Sequence, residues 1–229
     1  MRTVTRQLEL PGTQPRPTWG GARVGAGRKP KREGKPAVPH RARPDHRARH
    51  PVHVTLRARR GLPSFREQAL FGAMRKAIAA SLRSKRVGSS LRVLHFSVQS
   101  NHVHLVVEAH DKRAMARGLL GLGVRLARAI NGALAVRGSV WGDRYHARAL
   151  ETPLEVRNAL VYVLMNAKKH GVLLRGVDAF SSGPWFDGFV ERAHVSPPTD
   201  DPPVASPRTW LAREGWRMHG LVRVTERPG

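Results

Sequence analysis

From Val52 to Arg57 the chain alternates: Val52, Val54 and Leu56 are apolar, while His53, Thr55 and Arg57 are polar. A period of two reads as a half-buried strand. Leu62-Pro63-Ser64 then leads into a helix, with Ser64 and Glu67 spaced as a capping box and Phe71, Met74, Ile78 and Leu82 as its apolar stripe. That helix should stop by Gly88. Alternation returns over Leu91 to Val98, predicting Leu94, Phe96 and Val98 inward and Val93, His95 and Ser97 outward. Ser100-Asn101 reads as a turn, after which His102 to Glu108 comes back antiparallel with Val103, Leu105 and Val107 in the core. A second helix is predicted from about Lys112 to Val136, striped by Met115, Leu119, Leu122, Leu126 and Ile130. Trp141 to Leu150 suggests a bend at Gly142-Asp143 and then a strand. Thr152-Pro153-Leu154-Glu155 opens a third helix with a cap, a first-turn proline and an N3 glutamate. Its end is expected at His170-Gly171, with Gly171 as a left-handed C-cap.

Strand, helix, strand, strand, helix, strand, helix is the order of an α+β, ferredoxin-like split βαβ domain. One antiparallel sheet would carry two helices on its apolar face. The opposite face is polar and holds His53, His95, His102 and His104. The extra C-terminal helix, bearing Tyr162, is the natural cover for it.

Outside this pattern, residues 1–50 hold 13 Arg/Lys against 3 acids and are rich in Pro and Gly. They are expected to form a disordered basic tail. Within it, Gly25-Ala26-Gly27-Arg28-Lys29-Pro30 is AT-hook-like, although a solvated tail touching phosphates is the simpler reading of Arg28 and Lys29. Residues 51–187 make the expected domain. Residues 188–229 should be a Pro-rich linker followed by a short helical turn around Trp210 and Trp216, whose two tryptophans pack.

A net charge of +25 favours a polyanionic partner, nucleic acid before membrane. With 33 of the 41 basic residues being Arg, coding bias contributes too, so the charge selects no particular nucleic acid. Between residues 50 and 192 the acids form no D-x-D, D-D or E-E pair, which argues against carboxylate-held two-metal chemistry. The absence of cysteine removes disulfides, thiolate zinc sites and thiol catalysis. Without an apolar run of spanning length or a leader-like h-region, the expected setting is soluble, cytoplasmic and nucleoid-associated.

The candidate chemistry lies on two segments. In a strand, His102 and His104 project from one face and can share a divalent cation. On the third helix Asn158, Tyr162, Asn166 and Lys169 or His170 fall on one side. A phenol beside a cation held by two imidazoles and an amide oxygen is a device for phosphodiester cleavage. The other tyrosine, Tyr145, has no such neighbour one turn away and reads as structural.

Asn101-His102-Val103-His104-Leu105, the Tyr162-x-x-x-Asn166 segment with His170-Gly171 downstream, and Trp141-Gly142-Asp143-Arg144-Tyr145 together resemble the HUH-superfamily single-tyrosine transposases. The likeness is nearest to the REP-associated tyrosine transposases and covers roughly residues 50–187. It implies that His102, His104 and Asn166 hold Mg²⁺ or Mn²⁺ and that Tyr162 is the nucleophile. It also implies a hairpin-forming single-stranded DNA substrate and a 5′-phosphotyrosine intermediate. His53, His95, Arg144, Lys168 and Lys169 are candidate DNA contacts, with His53 and His95 equally eligible to support the metal ligands. Two positions depart from the family: Ala167 and Ser100 stand where it usually has proline. Ala167 should let the helix continue. The protein is expected to be a monomer or homodimer. A domesticated, catalytically silent DNA-binding protein is the alternative, and an RNA-binding sheet is disfavoured by the thin aromatic content of 6%.

Overall fold

The computed structural model describes residues 45–84, 87–88, 90–169, 176–191 and 201–228. Arg28 and Lys29, with the rest of the basic tail up to residue 44, and the expected cap at His170-Gly171 lie outside them. The described residues form one compact unit.

The elements follow the predicted order: β1 (Val52–Arg57), α1 (Gln68–Arg83), β2 (Arg92–Val98), β3 (His102–Glu108), α2 (Lys112–Ala133), β4 (His146–Ala149) and α3 (Pro153–Leu164). The four strands make one antiparallel sheet in the order β2-β3-β1-β4. The α+β, split βαβ expectation therefore holds. One face carries Val52, Val54, Leu56, Val103, Leu105 and Val107, packed with the stripes of α1 and α2 in a first core. α3 covers the other face, sharing a second core with Leu94, Val106 and the chain beyond Phe186.

Three local expectations change. The α1 capping box does not form: the helix begins at Gln68, with Glu67 as an N-cap that makes no side-chain bond. Phe65 is drawn fully into the core, and its N–H donates to the Ser100 carbonyl. Arg66 donates to the Val98 carbonyl and, through both terminal nitrogens, to the Asp178 carboxylate. These bonds hold residues 65–67 out of the helix. Second, a bulge between Val93 and His95 shifts the register of β2 against β3. Val93 consequently sits in the first core and Leu94 in the second, the reverse of the simple alternation. Third, the helix bearing Tyr162 does not run on through Ala167. It stops at Leu164, Met165 takes φ −104° and ψ 10°, and a separate turn, α4 (Asn166–Lys169), follows.

The free rim of β2 is occupied. Val98 N–H donates to Phe180 O, Ser182 N–H to Phe96 O, and Ala205 N–H to Val93 O. The chain then reaches α5 (Trp210–Arg213), with Thr209 as N-cap. Glu108, buried at the end of β3, accepts from the backbone of Arg208 and Thr209 and from the Thr209 hydroxyl. Residues beyond α5 return along α3. Arg157 donates to the carbonyls of Gly220 and Leu221 and to both Glu226 oxygens, and Lys168 donates to the Val224 carbonyl. Trp216 is buried against Phe186, whereas Trp210, expected to pack as well, stays half exposed. Among the described residues no helix is long and apolar enough to cross a membrane.

Candidate active site

The β1–β3 ladder sets Thr55 opposite His104 and Arg57 opposite His102, all on the face turned away from α1 and α2. The two imidazoles stand 4.6 Å apart, centre to centre and nearly perpendicular. His102 Nδ1 lies 2.8 Å from Asn101 Oδ1. An amide oxygen only accepts, so the ring proton sits on Nδ1 and Nε2 keeps its lone pair. His104 is buried, and its Nδ1 lies 3.1 Å from Thr55 Oγ1 and 3.2 Å from His53 Nε2. Burial holds His53 down at about 4, and the Arg148 charge adds to the effect. His53 is thus neutral at ordinary pH, and its Nε2 is available to accept from His104 Nδ1–H.

α3 brings the phenol to this pair. Its capping box forms as predicted, with Thr152 and Glu155 each bonding the other's backbone. Val156, Leu160, Val163 and Leu164 anchor the helix in the second core. Tyr162, on the side towards β1 and β3, lies edge-on 5.1 Å from the His104 ring and 5.5 Å from the His53 ring. Lys169 Nζ stands 5.0 Å from the centre of the tyrosine ring. A cavity of about 500 Å³ opens beside the phenol, bordered by His53, Arg148, Asn158 and Arg227.

Asn166 is fully buried, and among the described residues neither its Oδ1 nor its Nδ2 has a hydrogen-bond partner. A buried carboxamide left so is costly, on the order of 1–3 kcal/mol, unless a group outside the described residues satisfies it. Among the described residues no three His, Asp or Glu side chains gather to hold a metal ion. The neutral donors that could hold a divalent cation are the two imidazoles, His102 with its Nε2 lone pair fixed, together with the buried amide of Asn166 on α4. Such neutral ligands would leave the cation's charge for a phosphate.

The other candidate residues are dispersed. His95 packs edge-on against Phe186 and near Ser182, and burial pushes it down to about 4. Lys168 is engaged with the C-terminal segment, and Arg144 is exposed on the loop before β4. Tyr145 packs on the first core. In the Trp141–Tyr145 stretch, Trp141 Nε1 donates to the Gly123 carbonyl on α2. Gly142 N–H donates to the Arg57 carbonyl, and a Cβ there would come within 3.1 Å of the Ala58 oxygen and of Arg59 Cα. The motif thus seats its loop on the end of β1. Sequence alone assigns no site role to Thr55 or to the motif's Asn101, although the alternation puts Thr55 on the right face. Knowing that it meets His104 requires the strand register.

A family model described as "Transposase IS200 like" matches residues 52–164, a span that includes His102, His104 and Tyr162 and ends before Asn166. Among solved structures, a REP-associated tyrosine transposase bound to a REP hairpin is 16% identical, with a TM-score of 0.51. It covers 72% of this chain and 93% of its own. A putative transposase from Deinococcus radiodurans R1 is 14% identical with a TM-score of 0.33, covering 52% of this chain and 86% of its own. No match emerged among the curated proteins. The fold of the hairpin-bound transposase is the one described above, and the domain over residues 52–164 belongs to the IS200-like transposases.

Proposed function

We propose that this transposase cuts and rejoins single-stranded DNA next to a hairpin, with Tyr162 as the nucleophile. The observation that carries the reading is the meeting of Tyr162 with His104, some 58 positions earlier in sequence and itself paired with His102, on one face of the sheet. The phenolic oxygen attacks phosphorus, its proton leaves to water, and the bond from phosphorus to the 3′ oxygen breaks. A 5′-phosphotyrosine and a free 3′ hydroxyl result. The energy of the broken ester is kept in the new one, which a second 3′ hydroxyl can attack to rejoin the strand. His102, His104 and Asn166 would hold Mg²⁺ or Mn²⁺, which when bound polarises the scissile phosphate and offsets its developing charge. Asn101, Thr55 and His53 fix the orientation of the two imidazoles. Lys169 and Arg148, both exposed near the phenol, supply positive charge for the flanking phosphates. A DNA partner is supported by the transposase family, and a hairpin by the ligand named for the related structure.

The test uses a pool of hairpin oligonucleotides with randomised single-stranded flanks, incubated with Mn²⁺. Wild-type protein should yield a denaturant-resistant adduct mapping to Tyr162. Tyr162→Phe should abolish it while hairpin binding persists. An undiminished adduct in that variant, or one mapping to Tyr145, would overturn the assignment.

A further inference from the structure

A second cavity, of about 540 Å³, lies at the turn from β1 into α1, away from the one that borders Tyr162. Its wall is the run Arg57-Ala58-Arg59-Arg60-Gly61, with Asn101 and the Gly142-Asp143 bend opposite. The backbone fixes this shape. Ala58 N–H donates to the Asn101 carbonyl, Arg59 N–H to the Val140 carbonyl, and Gly61 turns the chain at φ +84°. Arg59 is part of the wall, its Nε donating to the Ser139 carbonyl. Arg57 and Arg60 are exposed, and among the described residues no carboxylate pairs with either. Asp143, on the rim, is turned to its neighbour, accepting from Arg144 N–H.

The cavity's place on the sheet gives it a direction. Arg57 stands opposite His102 in the ladder, on the face that bears His104 and His53. At about 3.3 Å per residue, Arg57 lies some 13 Å along β1 from His53, which borders the Tyr162 cavity. His104, opposite Thr55, falls between the two, and His102 lies level with Arg57. A strand whose phosphate sits on that pair would leave it, on one side, over guanidinium groups that have no anionic partner among the described residues.

We propose that the β1–α1 cavity is a clamp for the phosphate backbone of the single strand flanking the cleavage point, with Arg57 and Arg60 making the contacts. The clamp rests on the proposed cleavage of single-stranded DNA, but its contribution is to binding and is measured without cleavage. Positively charged grooves that track the backbone hold single strands with little regard to sequence and with strong salt dependence.

The experiment measures anisotropy of a labelled hairpin carrying short thymidine tails, and of the same hairpin without tails, between about 50 and about 200 mM salt in EDTA. The full chain is compared as wild type, as Arg57→Gln/Arg60→Gln, and as Arg113→Gln/Arg117→Gln. The last pair lies exposed on α2, beyond the opposite face of the sheet. For the tailed hairpin, losing two contacts should flatten the log–log salt slope by about 1.4, at roughly 0.7 per single-strand phosphate. The affinity advantage of tailed over tailless hairpin should shrink with it, and removing one particular tail should reproduce the loss. The α2 pair should keep the full tail advantage. The clamp is overturned if wild type gains nothing from tails, if the slope does not change, or if the tailless hairpin loses equally. Failure of the adduct assay alongside an intact tail effect would count against Tyr162 chemistry and leave the clamp standing.

Discussion

His104 is held at Nδ1 by two partners, and removing them one at a time tests whether that grip matters to the proposed metal site. Thr55→Val deletes the hydroxyl 3.1 Å away at nearly constant volume, and His53→Phe deletes the nitrogen 3.2 Å away while keeping a ring against Tyr162. Loss of a group that orients a metal ligand lowers metal affinity about 10–100-fold, equivalent to about 1.4–2.8 kcal/mol. Because either partner alone still fixes the ring, each single variant belongs at the lower end, near tenfold. The double variant should exceed about a hundredfold, more than the sum of the single costs, because the partners substitute for one another. The assay is adduct formation with hairpin DNA across a Mn²⁺ titration, paired with direct Mn²⁺ binding by electron paramagnetic resonance without DNA. Half-saturation should move to higher Mn²⁺ by these factors, with the rate at saturation restored to near wild type for the single variants. An unchanged half-saturation with a reduced maximal rate in His53→Phe would refute the reasoning. It would place His53 against the phenol or the DNA instead of behind His104.

Two further outcomes follow from packing and burial. Trp216→Ala removes a buried indole from the second core and should cost about 3–5 kcal/mol in urea unfolding; a cost below about 1 kcal/mol would show that the C-terminal segment is not part of the folded unit. His95 is held neutral down to about 4, so above about pH 6.5 it contributes no pH dependence. Below that, the unfolded chain takes up a proton that the folded one refuses, and stability should fall towards pH 4 by up to ~3 kcal/mol from this residue. His95→Gln should flatten that fall, and identical pH profiles for the two proteins would contradict the burial argument.

The residues of the proposed site are legible in the sequence because they depend on short-range spacing. His102 and His104 share a face by strand geometry alone, and Thr152, Pro153 and Glu155 specify where α3 starts whatever it packs against. What sequence could not supply depends on distant partners. Ser64 and Glu67 have capping spacing, but Ser100, Val98 and Asp178 compete for the backbone and side chains of residues 65 and 66. Leu94 obeys the alternation until a bulge lets β2 feed both cores. The break at Met165 occurs where a helix buried on most sides ends, and Ala167, a good helix former, does not prevent it. Trp216 and Trp210 look equivalent in sequence, and only the surface offered by Phe186 distinguishes them.

The sealed rim of β2 determines how two copies of this protein could join their sheets. With Phe180, Ser182 and Ala205 already bonded along that edge, strand addition there would first require displacing them. β4 is the other edge, four residues long, and its Arg148 borders the cavity beside Tyr162. An eight-stranded dimer built across β4 would therefore draw on the same strand that borders the cavity proposed to receive DNA. Self-association by that route and substrate occupancy would compete, so loading with DNA should favour separate molecules.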